Sequence, residues 1–448
     1  MAFGKGDSMT NVLRRSTLKA FGATALAASG AASVLLPNAA RAGELRYQPE
    51  KGAELKLLRW KRFVQGDEDL FVSNTRKFTE QTGVRVQIES VNTEEVRPKG
   101  ALAASLGSGP DVVMGFPDMP QLYPDQCLDV TELAGYLGKK YGGWYDVCER
   151  YCTADGRWVG LGLAITTFLL VYRESMVKAA GFSGIPRDLP GFLKLCQALK
   201  TRGTPVGLAL GNAVGDTSWC SWLLWAHGAS LVDENNRVTI NSKETLAALE
   251  YARELYQTFI LGTLSWLDPN NNKAFLSGEI SLTWNPISIY YVAKNSSEPA
   301  LKAMAADIQH AHMPIGPVGH PTELHGFFTI WAFKYTKYPN AAREYLRFML
   351  EREQYESWQQ ASLGFMCQTL RAYESNPIWT SEPKITPIRD GPRLMLYAGY
   401  RGKVGAASAA CEAEFVIANM FAEAASGQST PQVAAARAEQ RARRYYKT

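Results

Sequence analysis

Beyond residue 50 the chain alternates between two hydrophobic periods. Residues 55–60, Leu-Lys-Leu-Leu-Arg-Trp, read as a strand. A helix is predicted over 69–81, stopped by Thr82-Gly83. Val84, Val86 and Ile88 then recur every second residue, the side-chain period of a strand, and predict one over 84–91. A second helix is predicted over 94–106. Gly107-Ser108-Gly109-Pro110 breaks the chain ahead of a short, buried third strand at 111–114, Asp-Val-Val-Met. Strands alternating with helices imply a largely parallel sheet covered on both faces, an α/β fold.

The middle of the chain is more helical. Asn241 and Glu244 are spaced as a capping box, and Leu246, Leu249, Ala252, Tyr256 and Phe259 follow at three- and four-residue steps. Another helix is predicted from Pro339, with Ala342, Leu346 and Met349 on its buried face. Pro- and Gly-rich breaks fall at 181–190, 268–272 and 314–321. The stretch 431–446 is rich in Ala and Arg and reads as an amphipathic surface helix, with Glu439 interspersed among the basic residues.

Residues 1–42 have a different pattern, that of an export signal. A charged start containing Arg14-Arg15-Ser16-Thr17-Leu18-Lys19 precedes an Ala-rich apolar run over 20–36, and Ala40-Arg41-Ala42 supplies a small-x-small cleavage site. The paired arginines resemble a twin-arginine signal; an ordinary secretory signal is the alternative. No cysteine precedes Cys127, so a lipid anchor is not expected. The expected compartment is the periplasm.

That segment changes the meaning of the charge. The 448 residues carry 48 Lys and Arg against 43 Asp and Glu, a net +5. Lys5, Arg14, Arg15, Lys19 and Arg41 against Asp7 place most of this excess in the signal. The remainder is nearly neutral, which argues against nucleic acid as a partner. All eleven Trp lie in the remainder.

Motifs for chemistry are scarce. The chain contains no GxSxG, HExxH, P-loop, CxxC or GxGxxG. His310-x-His312 lacks an adjacent Cys or acidic ligand pattern and reads as a strand end, so neither a metal nor a cofactor is expected. Asp67-Glu68-Asp69 reads as a helix N-terminus, where the dipole favours acids. The seven cysteines are odd in number, and Cys148 and Cys152 are spaced to share a helix face; all read as small buried hydrophobes.

Aromatic residues stand instead near the predicted strand ends. Trp60 closes the first strand and Phe116 follows the third. Trp219, Trp222 and Trp225 cluster in one segment, and Trp284-Asn285 follows a strand-like run at 280–283. Ligands of open parallel sheets bind beyond the carboxyl ends of the strands, and flat aromatic faces there suit sugar rings.

Six stretches, in order, resemble the family 1 extracellular solute-binding proteins, periplasmic receptors of ABC importers for sugars and polyols. They are Asp155-Gly156-Arg157-Trp158-Val159-Gly160 with Leu170-Val171-Tyr172-Arg173; Lys178-Ala179-Ala180-Gly181-Phe182; and 227–234, His-Gly-Ala-Ser-Leu-Val-Asp-Glu. The other three are 274–282, Ala-Phe-Leu-Ser-Gly-Glu-Ile-Ser-Leu; Met313-Pro314-Ile315-Gly316-Pro317; and 424–431, Ala-Ala-Ser-Gly-Gln-Ser-Thr-Pro. The resemblance implies the two-lobed, type II periplasmic-binding-protein fold, with discontinuous lobes and the ligand between them. The first lobe is expected over 43–163 plus 315–365, the second over 164–314 plus 366–448.

The same resemblance implies ligand contacts at Trp60, Asp67, Phe116, Asp118, Thr166, Thr167, Trp219 or Trp222, Trp284 and Asn285. In the return to the first lobe, His325 departs from a Gly-Gly pair of which Gly326 is kept. Tyr400 and Arg401 lie in a late loop able to reach the cleft. The expected function is capture of a sugar or polyol, without catalysis, by a monomer that delivers it to an inner-membrane permease. A receptor of the same fold for an anionic sugar derivative, to which Arg401 would bind, or for another non-sugar solute is the alternative. An exported glycosidase would need two acids facing each other across the cleft.

Overall fold

The three predicted strands form one side of a five-stranded sheet. A computed structural model describes residues 44–447 apart from Arg62, so the export signal lies outside the described residues. β1 (Glu54–Trp60) is followed by α1 (Gln65–Thr82), β2 (Arg85–Val91), α2 (Thr93–Leu106), β3 (Val112–Gly115) and the short α3 (Asp118–Leu122). β1 pairs parallel with both β2 and β3, Trp60 opposite Val91 and Leu57 opposite Val112. β4 (Leu161–Thr166) belongs to the same sheet but not beside β3. A strand from far along the chain lies between them, which local patterns could not reveal.

The chain leaves this sheet through Thr166-Thr167-Phe168 and begins a second one. β5 (Leu169–Arg173) is its centre. After α4 (Ser218–Ala226) and α5 (Lys243–Tyr256), β6 (Leu282–Asn285) pairs antiparallel with β5, and β7 (Ile308–Ala311) pairs with its other edge. The chain then returns through 312–325 to β8 (Gly326–Ala332), which fills the gap in the first sheet, antiparallel to β3 and β4. The helices α6 (Pro339–Met349) and α7 (Arg352–Ala361) cover that sheet. α8 (Ala406–Ala413), α9 (Val416–Ala425) and α10 (Pro431–Ala442) follow; α9 and α10 pack against α5 in the second lobe.

Two hydrophobic clusters match the two sheets. One gathers Leu55, Phe71, Val113, Ile330, Tyr345 and Trp358; the other gathers Leu170, Phe192, Trp219, Leu249 and Phe421. Residues 366–395, expected with the second lobe, contribute Cys367, Trp379 and Ile388 to the first cluster. The cause is main-chain pairing: the N–H of Cys367 donates to the Ile165 carbonyl, 2.9 Å, and Ile165 N–H donates back, 3.0 Å, extending the edge of the first sheet.

Local chemistry also shifts one predicted cap. The hydroxyl of Ser242, not Asn241, accepts from Thr245 N–H at the start of α5, and Asn241 donates to Glu439 on α10 instead. The buried stripe is Thr245, Ala248, Leu249, Ala252 and Leu255, so Leu249 and Ala252 are shared with the predicted one. All seven cysteines are free and buried.

Candidate functional site

Strand direction places the cleft. β1, β3 and β4 end at Trp60, Gly115 and Thr166, and β8 begins at the same edge, with Gly326 opposite Thr166 and Thr329 opposite Gly115. The second sheet contributes the end of β6, Asn285, and Phe168 just before β5. A cavity with about 1300 Å³ of empty space, its open mouth included, lies between these edges.

Its first-lobe wall is aromatic. Trp60 stacks on Phe328, ring centres 4.0 Å apart and 25° from parallel, and Phe116 stands 6.4 Å from Trp60. The Arg97 guanidinium lies 4.6 Å over Phe116, oriented by two hydrogen bonds to Asp118, of 2.7 and 2.9 Å. Arg97 and Thr93 reach the cavity from the first turns of α2, where Asn92 and Glu95 form a capping box.

The second-lobe wall comes from one face of α4. Ser218, Ser221 and Trp225, at i, i+3 and i+7, line the cavity. Trp219 and Trp222, turned about 100° per residue away from that face, enter the core. The Trp219 indole donates to Ala209 O (2.8 Å) and that of Trp222 to Pro314 O (3.0 Å). The two expected contacts from this segment are therefore structural, and the third indole of the cluster is the one in the cleft.

Six of the expected residues line the cavity together: Trp60, Phe116, Thr166, Asn285, His325 and Gly326. Gly326 has packing reasons to lack a side chain. A Cβ there would meet Phe168 and Thr166, each at 3.2 Å. Trp284 stands one layer back, its ring centre 5.8 Å from Phe168 and 6.2 Å from His325, with its N–H donated to Ser218 Oγ at 2.8 Å. Asp118 acts on the cavity through Arg97.

The remaining expected residues are occupied elsewhere. Asp67 is fully buried, accepting from Arg59 (2.8 Å) and from the Trp358 indole (2.9 Å); it locks α1 onto β1 and α7. Thr167 turns its hydroxyl to Ile388 O, 2.8 Å, beneath Gly391. Tyr400 packs edge-on against Trp225 behind the cavity wall, and Arg401 is exposed outside it.

Several lining polar atoms have no hydrogen-bond partner among the described residues. They are the indole nitrogens of Trp60 and Trp225, Thr166 Oγ1 and both ring nitrogens of His325. His325 Nε2 lies 3.4 Å from Glu323 Oε2, an ion-pair distance without hydrogen-bond geometry. Glu323 is held by His312 Nδ1 (3.0 Å) and Met313 N–H (2.6 Å). Burial opposes its ionisation, but the His312 hydrogen bond and the nearness of both histidines prevail and hold the carboxyl at about 2.

Sequence reasoning missed Phe63, Thr93, Arg97, Phe168, Trp225, Asp268 and Glu412 as cavity residues. The helical phase of Ser218, Ser221 and Trp225 was a usable signal. The others depend on packing between distant segments.

The model of the bacterial extracellular solute-binding protein family matches residues 75–387. A probable ABC transporter-binding protein of Deinococcus radiodurans is 23% identical over 53% of this chain. The putative ABC transporter periplasmic-binding protein YcjN of Escherichia coli is 22% identical over 71%. The matches span 58% and 73% of those relatives' own lengths. Among solved structures, maltose-bound MalE3 of T. maritima superposes with TM-score 0.76 at 18% identity, over 88% of this chain and 99% of that one. A sugar transporter of Arthrobacter chlorophenolicus with bound laminaribiose gives 0.75 at 17%, over 88% and 99%. The GacH receptor of Streptomyces glaucescens, solved free and with acarbose, gives 0.74 at 18%, over 89% and 99%. These likenesses establish the two-lobed periplasmic-binding-protein fold. No helix among the described residues is long and apolar enough to cross a membrane. The chain belongs to the bacterial extracellular solute-binding proteins.

Proposed function

We propose that the cleft captures a carbohydrate or polyol and that the protein, exported by the twin-arginine route and working as a periplasmic monomer, hands it to an inner-membrane ABC permease. The observation that carries this assignment is the pairing of aromatic faces with unsatisfied polar atoms. Trp60, Phe116, Phe168 and Trp225 offer rings to the C–H faces of a sugar. Between them Trp60 Nε1, Trp225 Nε1, Thr166 Oγ1 and His325 offer hydrogen bonds that no described residue takes. An unmade buried hydrogen bond costs about 1–3 kcal/mol, so hydroxyls placed there gain what the free protein lacks. The six lining residues named from the sequence, with Trp225 and Phe168, form the proposed contact set.

An anionic sugar is disfavoured. Arg401 lies outside the cavity and Arg97 is already paired with Asp118, whereas Asp268 and Glu412 line the wall. Thermal-shift screening of the purified protein against neutral sugars, polyols, sugar acids and amino acids tests the assignment. A sugar at about 100 times its dissociation constant adds about 2.7 kcal/mol to the folded state, a rise of a few degrees at this size. Stabilisation by amino acids alone would sink it.

A further inference from the structure

The charges around the cleft do not balance. Among the described residues Arg97 is the cation that lines it, and two hydrogen bonds already tie Arg97 to Asp118. Asp268 and Glu412 line it too, and neither carboxyl has a hydrogen-bond or ion-pair partner among the described residues. Behind them stands Asp216, 1% exposed, between the cavity residues Gly215 and Thr217. Both of its carboxylate oxygens are buried and without a hydrogen-bond partner.

These acids fall into two groups. Glu412, on α8, is next to Asp118 and Arg97, so a cation is already present there. Asp268 and Asp216 interact with each other, and Asp268 also feels Glu94 from the first turn of α2. No cation among the described residues serves that pair. Burial without a counter-charge disfavours ionisation: Asp268 is pushed up to about 8, with Glu94 adding to the effect, and Asp216 is pushed upward in the same way. The acids do not converge as a metal-ligand set, since no group of three or more His, Cys, Asp or Glu among the described residues could hold a metal ion.

A folded chain gains nothing from two such carboxyls, whereas a positively charged ligand would gain from both. We propose that the solute carries a protonated amine on a polyhydroxylated frame, as an amino sugar or an amino-substituted polyol does, and that its ammonium group sits on Asp268 beside Asp216. This rests on the sugar assignment above and narrows it. The ring stacks on the aromatic wall, its hydroxyls take up Trp60 Nε1, Trp225 Nε1 and Thr166 Oγ1, and the amine supplies the charge the second lobe lacks.

Matched pairs test it by calorimetry on the purified protein at pH 7: glucose with glucosamine, galactose with galactosamine, cellobiose with fully deacetylated chitobiose. The amino member should bind about tenfold more tightly or better, as sites built for an N–H discriminate. Asp268→Asn should abolish the preference and Asp268→Glu retain it. Should the Asn variant not fold, proton counting on the unaltered protein decides. The amino member should drive proton release as Asp268 ionises, beyond any release by its neutral partner. Equal affinity, or equal proton traffic, within the pairs overturns the amine inference and leaves the sugar assignment standing. If no neutral or amino member binds, both fall.

Discussion

The indole of Trp284 lies against the imidazole of His325, ring centres 6.2 Å apart and 25° from parallel. One residue is the last but one of β6 in the second sheet, and the other ends the return to the first. The cleft floor is therefore shared between lobes. His325 is 3% exposed, and its position depends on Trp284 on one side and on Glu323 at 3.4 Å.

Glu323 should give the stability a pH signature. Its folded carboxyl lies at about 2, below the ordinary value, so its contribution is present above about 4.5 and is lost as pH falls towards 2. His312 is raised: burial opposes this, but the Glu323 hydrogen bond and charge outweigh it. Its contribution is present below about 6.5 and is lost as pH rises past its folded value. The difference in melting temperature between the protein and Glu323→Gln should be largest between about pH 4.5 and 6.5. A difference that stays flat from pH 3 to 8 contradicts this linkage.

Trp219 and Trp225 should separate stability from binding although they lie on one helix. Trp219→Ala removes a core indole packed on Phe259 and Phe421 and should cost about 3–5 kcal/mol in denaturant unfolding. Trp225→Ala removes a cavity wall and should weaken sugar binding about tenfold or more at a smaller stability cost. The opposite assignment of the two effects would show that α4 is rotated from the described phase.

Trp284→Ala should affect both properties. The indole is buried, donates to Ser218 Oγ and backs Phe168 and His325, so its loss opens a cavity and frees two lining rings. A stability loss of about 3–5 kcal/mol should accompany weaker binding. Binding loss with unchanged unfolding would mean that Trp284 meets the ligand directly.

Asp67→Ala should behave as a folding variant. It leaves the Arg59 guanidinium buried without its carboxylate, a change that costs about 3–5 kcal/mol. Binding per folded molecule, measured by calorimetry normalised to the folded fraction, should stay near that of the parent. A selective loss of affinity would put Asp67 in the site.

The cysteines should be silent. All seven are free and buried, and burial pushes the thiols of Cys127 and Cys411 up to about 12. A thiol reagent at pH 8 should label none in the native protein and seven after denaturation. A reductant should leave the melting temperature unchanged.

Periodicity alone determined a good deal. The strands at 55–60, 84–91 and 111–114 and the helices between them were legible because each element carries its own hydrophobic period. The ends of those strands were legible as ligand positions because a parallel sheet puts its carboxyl edges together. Trp60, Phe116 and Thr166 were named on that ground or through the family resemblance, and all three line the cavity.

Tertiary structure decided the rest. β8 enters between β3 and β4 from more than 150 residues away, and the Ile165–Cys367 pairing draws 366–395 to the first sheet. Within α4, three tryptophans of equal hydrophobicity differ only in rotation about the helix axis, and that rotation is fixed by what packs on each side. The charge of the cleft is likewise a tertiary property. Asp216, Asp268 and Glu412 are unremarkable acids in the sequence. Folding sets Glu412 beside Arg97 but leaves Asp216 and Asp268 without a cation among the described residues, and desolvation gives their charge its value.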